Sequence, residues 1–132
     1  TGTGRIHRLW LKGEKTGQRD LFKVSLPGTP DNISFNGRDT FWVALPGPRT
    51  TLDANAGRPW LRKLVSRLPI NMLEDIAPPS SFVVGLDLQG EVSENLQSAD
   101  GAISNITSAT ECQGHLYIGS LSESSLARYP LQ

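Results

Sequence analysis

Cysteine is nearly absent: Cys112 is the single one in 132 residues. A lone thiol excludes an internal disulfide and a zinc site built mainly of cysteines. Charge of one sign is missing too, because 13 Lys and Arg cancel 13 Asp and Glu. With no net field and no stripe of basic and aromatic side chains, nothing points to nucleic acid as a partner. Apolar runs are only a few residues long, so no segment reads as a membrane-crossing helix. An initiator methionine and a charged-then-apolar leader are both lacking. The chain enters a strand-like stretch, "RIHRLWL", almost at once, which reads as a cut through a longer polypeptide. That leaves the compartment unassigned. What is present is a hydrophobic content of 37%, enough for a folded core in one modest domain.

The apolar residues recur in short alternating runs. "GRIHRLWLKG" at 4–13, "SFVVGLDLQG" at 81–90 and "SLARYPLQ" at 125–132 share one shape, and "TFWVALP" at 40–46 matches "HLYIGSLS" at 115–122. Trp42 and Tyr117 lie 75 residues apart, Leu11 and Leu88 lie 77 apart, and Leu88 and Leu131 lie 43 apart. One unit of about 43 residues, lengthened once by roughly 32–34, fits these spacings, and a unit of that size made of short strands is a propeller blade. Strands are expected at 5–11 and 20–26 (the outer two of one blade), at 32–36, 40–46, 81–88 and 91–97 (a whole blade), and at 105–112, 115–121 and 125–131 (most of a third). Asn36-Gly37, Gln89-Gly90 and Gln113-Gly114 supply turn chemistry between them. The fold class is therefore all-β, a partial propeller, with 1–132 a portion of one domain.

The lengthened unit holds an insertion at 47–80. Within it "RPWLRKLVSRL" sets Trp60, Leu61, Leu64, Val65 and Leu68 on one face of a short helix, opened by Pro59 and stopped by Pro69. Arg58, Arg62, Lys63 and Arg67 take the other face. A basic amphipathic helix can lie on an anionic membrane, so membrane association is an open expectation. The apolar stripe is as wide as an ordinary buried face, which favours a flap packed on the propeller.

"LPGTPDNISF" places Asp31 and Asn32 after Pro30 and before a strand. Read from the residues alone, the pair is either an Asx turn or half of a metal site. A family resemblance weighs on that choice. "RLWLKGEKTGQRDLFKVSLPGTPDNISFNGRDTFWVAL" and the closing "GHLYIGSL" and "LARYPL" resemble strictosidine synthase-like proteins, and "GRPWLRKLVSRLP" resembles the matching segment of one branch of that family. The resemblance runs over nearly the whole chain. It implies a six-bladed β-propeller, of which this chain is about two and a half blades at the C-terminal side. Paraoxonases and gluconolactonases are more distant relatives of the same architecture. Their matching motifs imply that Asp31 and Asn32 are ligands of a calcium or other divalent ion in the central tunnel, with further ligands outside this chain.

The activity so implied is metal-dependent hydrolysis of esters or lactones, with a small-molecule substrate and with calcium polarising the carbonyl. An alternative is the namesake condensation of an amine with an aldehyde. By resemblance that reaction uses a glutamate where this chain has Thr107, and threonine cannot serve as a carboxylate acid-base. Thr107 is expected to line the pocket only, and the catalytic residues are unassigned. A third reading is a non-catalytic scaffold with a structural ion. In every reading the unpaired sheet edges require the remaining blades or another copy of the chain.

Other residues read as structure. His7 and His115 have no partner ligand at metal spacing. Cys112 reads as an inert, partly buried thiol, and Trp10, Trp42 and Tyr117 as inter-blade core. The sequons "NIS" and "NIT" open inner strands, where a glycan would block the tunnel. Ser120 lacks a nucleophile-elbow pattern, and Glu111 is expected well away from the tunnel end.

Overall fold

The computed structural model describes residues 4–47, 81–98 and 102–131. They form nine strands, with no helix among them: β1 Ile6–Leu9, β2 Arg19–Lys23, β3 Ile33–Phe35, β4 Phe41–Leu45, β5 Ser81–Leu86, β6 Val92–Ser98, β7 Ile106–Cys112, β8 His115–Ser120 and β9 Ala127–Pro130. These make three antiparallel sheets, β1-β2, β3-β4-β5-β6 and β7-β8-β9, each in sequence order. Every strand expected from the repeat is present, most of them shorter than expected, while β2 begins one residue early and β6 ends one residue late. The helix expected inside 47–80 lies outside the described residues.

Turn chemistry fixes the hairpins. In the β3–β4 turn, Asn36 Oδ1 accepts the N–H groups of Arg38, Asp39 and Thr40 at 2.9, 3.0 and 3.1 Å. In the β5–β6 turn, Asp87 Oδ1 accepts from Gln89 and Glu91 at 2.9 and 2.8 Å. Gln113 and Gly114, with φ of 48° and 72°, form the two-residue loop joining β7 to β8, the geometry that matches strand twist.

The period-2 pattern becomes two hydrophobic layers. From β4 and β5, Val43, Leu45, Val84 and Leu86 turn toward the first sheet and enclose Leu26, with Ile6 and Phe22 packed on them. Trp42, Ala44 and Val83, from the same strands, turn the other way and meet Ile106, Ala109, Leu116 and Ile118 of the third sheet. A strand buried on both faces marks the middle sheet as the filling of a stack. Burial of each Val or Leu contributes about 1.5–3 kcal/mol. Phe22 meets Phe41 edge-on across the first boundary, centroids 5.4 Å apart.

Two expectations about aromatic residues are corrected. Trp42 is core, but Trp10 belongs to neither hydrophobic layer. Its indole lies under the Arg8 guanidinium at 4.3 Å and donates to Asp20 at 3.2 Å, because β1 and β2 are outer strands with solvent on one face. Tyr117 points away from the second layer and is exposed, since its β8 neighbours Leu116 and Ile118 take the buried side. Cys112 is exposed as well, being the last strand residue before a hairpin.

The innermost strands of neighbouring sheets run side by side. Ser34 on β3 donates to the Ala109 carbonyl on β7 at 2.6 Å, and Asn32 donates to the Thr107 carbonyl at 2.9 Å. Such convergence of first strands, with sheets stacked face to face, is the arrangement of propeller blades. Call the end where β3 and β7 begin the upper end. Strand β4 finishes there and β5 begins there, so the described residues on either side of 48–80 lie at the same end as Asp31 and Asn32. Ser81 stitches this end together: it donates to the Pro46 carbonyl and accepts from the Ile106 N–H, both at 3.3 Å.

Candidate metal centre

Asp31 and Asn32 enter β3 under double restraint. Pro30, itself buried, fixes the approach. The Asp31 N–H then donates to the Ala44 carbonyl, and the Ala44 N–H donates to the Asn32 carbonyl, each at 3.0 Å. The backbone is thus tied to β4 while both side chains remain exposed at the upper end. No Asx turn forms at Asp31-Asn32. The Asx geometry belongs instead to Asn36, five residues after Asp31.

The carboxamide of Asn32 has a defined orientation. Its Nδ2 donates to the Thr107 carbonyl of the next sheet at 2.9 Å. A carbonyl can only accept, so the amide face turned to it must be nitrogen. Oδ1 is left facing away from β7, and among the described residues it meets no protein donor, as is also true of the Asp31 carboxylate. Two adjacent hard oxygens, one charged and one neutral, suit part of the shell of a divalent cation of the calcium type, which takes six to eight oxygens. Among the described residues no three His, Cys, Asp or Glu side chains gather into a site, so the pair can be two donors of a shell and no more.

Thr107 lies beside the pair. Register shifts between Ile106 and Ser108, leaving Thr107 as the extra residue of a β-bulge opposite Ser120 and Gly119. Bulges re-aim side chains next to sites. The Thr107 hydroxyl reaches the Gly119 carbonyl only at 3.5 Å, and a side chain at 119 would strike Ser108 Oγ at 2.6 Å. The structure therefore brings Asp31, Asn32 and Thr107 to one end of neighbouring inner strands.

Glu111 is at the other end of β7. Its Oε2 accepts from the Trp42 indole at 2.9 Å and from Asn36 Nδ2 at 3.0 Å, and its Oε1 takes the Arg38 guanidinium. The side chain is 10% exposed. The Trp42 hydrogen bond above all, then those from Asn36 and Arg38, hold its carboxyl below the ordinary glutamate range. Sequence reasoning set Glu111 away from the tunnel end and missed this clasp between sheets. A signal existed: Asn36 and Glu111 are 75 residues apart, the same offset as Trp42 and Tyr117.

Stacked antiparallel sheets with converging first strands define a partial β-propeller. No family model matches the chain. Over 139 residues it is 32% identical to adipocyte plasma membrane-associated protein of Homo sapiens, covering 100% of this chain and 33% of that protein. The Danio rerio protein of the same name is 35% identical over 99% of the chain and 33% of its own length. Strictosidine synthase-like protein 10 of Arabidopsis thaliana is 36% identical, over 99% of the chain and 37% of that protein. The chain belongs to this strictosidine synthase-like family and spans about a third of the length of the curated relatives it matches.

Proposed function

We propose that this chain contributes Asp31 and Asn32 to a calcium site in a propeller hydrolase of esters or lactones. The observation that supports the reading is the pair of donor-free oxygens at the head of an innermost strand, with the Asn32 nitrogen already engaged elsewhere. Calcium, when bound, would supply Lewis-acid polarisation of the substrate carbonyl and hold the developing oxyanion. Asp31 offsets part of its charge, and Asn32 adds a neutral oxygen. Thr107, re-aimed by the bulge, borders the same space and sets its shape. The namesake condensation fits poorly. Thr107 has no carboxyl group, and Glu111 is at the opposite end of β7 with its oxygens engaged.

The test is turnover of a chromogenic aryl ester by the full-length protein. Activity lost to chelator, regained with calcium and abolished by Asp31→Ala agrees with the reading. Turnover that survives chelation contradicts it. A second reading, a membrane-facing scaffold, draws on Leu121 and Leu126. They are 82% and 71% exposed on the β8–β9 loop, at the same end as Asp31. It also agrees with the membrane association in the name of the mammalian relative. Sedimentation with anionic vesicles that is lost in Leu121→Glu/Leu126→Glu would favour it.

A further inference from the structure

We infer that Asn32 is a positioning residue that ties the cation site to the joint between two blades, and that aspartate cannot replace it. The cation half of this inference rests on the reading given under Proposed function; the joint half does not.

Three side chains at alternate positions, one on β3 and one just beyond each of its ends, reach across to β7. Asn32 Nδ2 meets the Thr107 carbonyl at 2.9 Å, Ser34 Oγ the Ala109 carbonyl at 2.6 Å, and Asn36 Nδ2 the Glu111 carboxylate at 3.0 Å. The Asn32 backbone N–H adds a bond to the same Thr107 carbonyl at 3.3 Å. The period of two is that of a strand, so one face of β3 is a polar ladder against the next sheet. The uppermost rung depends on the bulge. Ile106 pairs with Ser120 and Ser108 with Gly119, so Thr107 has no opposite residue in β8. Its carbonyl accepts from β3 instead, and it takes both donors that Asn32 offers.

The carboxamide therefore has two ends with two duties. Nitrogen holds the joint, and the planar group then fixes where oxygen points. Whatever orders the oxygen also orders the rung, so cation binding and blade docking are linked in both directions. Counting ligand charge alone, Asn32→Asp should tighten cation binding. The geometry says the reverse. With one carboxylate oxygen on the ion, the other would take the place of Nδ2, facing the Thr107 carbonyl at hydrogen-bond distance with no proton between them. Either the rung breaks or the ligand turns away.

The experiment uses the full-length protein with calcium chloride as the probe. Affinity is read by titration calorimetry and midpoint by thermal unfolding in chelator, for wild type, Asn32→Asp and Asn32→Ala. Asn32→Asp is expected to weaken calcium binding about tenfold or more, the effect of setting two acceptors against each other. In chelator both variants are expected to melt roughly 2–4 °C below wild type, from the lost rung. Equal or tighter calcium binding by Asn32→Asp overturns the inference, as does an unchanged midpoint for Asn32→Ala in chelator. If the wild type takes up no calcium, the hydrolase reading fails. The joint is then judged by the chelator midpoints alone, lowered values supporting it and unchanged values refuting it.

Discussion

Replacing Glu111 by glutamine changes one oxygen to a nitrogen and removes a charge where three donors converge. Trp42 Nε1 and Asn36 Nδ2 share Oε2, and Arg38 holds Oε1. A glutamine oxygen can still serve Trp42 and Asn36. Its amide nitrogen, however, would face the Arg38 guanidinium, donor against donor. Arg38 is 72% exposed on its side chain and returns to water at little cost. The two remaining bonds lose charge assistance, each falling from about 1.5–3 to about 0.5–1.5 kcal/mol. The expected loss is about 2 kcal/mol. Glu111→Ala should cost more, about 3–4 kcal/mol, because the buried Trp42 indole keeps a donor with no acceptor. The assay is denaturant unfolding of the full-length protein, with the midpoint falling and the slope unchanged. A shift below about 0.5 kcal/mol for Glu111→Gln would refute the clasp.

Acid should act on the same group. The Glu111 carboxyl is held below its ordinary value of 4.5 by the Trp42 bond, with Asn36 and Arg38 adding to it. A depressed folded value stabilises the fold above the unfolded value and loses that contribution as pH falls through the folded one. Stability is thus expected to drop below about pH 4.5, and Glu111→Gln should flatten that limb in pH-dependent melts. Gly90 has φ of 87°, and a side chain there would meet the Phe22 carbonyl at 2.2 Å, where the β5–β6 turn docks on β2. Gly114 has φ of 72° with open space around it. Gly90→Ala is expected to cost about 2–3 kcal/mol and Gly114→Ala only about 1 kcal/mol; equal losses would contradict the close approach.

The strand positions were readable because alternation and turn residues are local. A run such as "TFWVAL" needs no distant partner to declare its period. The burial of β4 on both faces was not read from that run and comes from the two layers it joins. Trp10 and Tyr117 misled because an aromatic residue on a strand does not say which face is covered. Arg8 and Asp20 supply Trp10 with polar company, and Tyr117 faces out from the last sheet. The inter-blade ladder was hidden for another reason. All three rungs span the 75-residue repeat offset, but the acceptors at Thr107 and Ala109 are backbone carbonyls, which carry no residue type, and only Asn36–Glu111 joins two side chains.

A crystal structure of the full-length protein grown with calcium, with the ion located by its anomalous signal, tests the central claim most directly. An ion is expected about 2.3–2.6 Å from a carboxylate oxygen of Asp31 and from Asn32 Oδ1, with Asn32 Nδ2 still on the Thr107 carbonyl. An ion bound elsewhere, or an Asn32 amide turned nitrogen-first toward the ion, would contradict it.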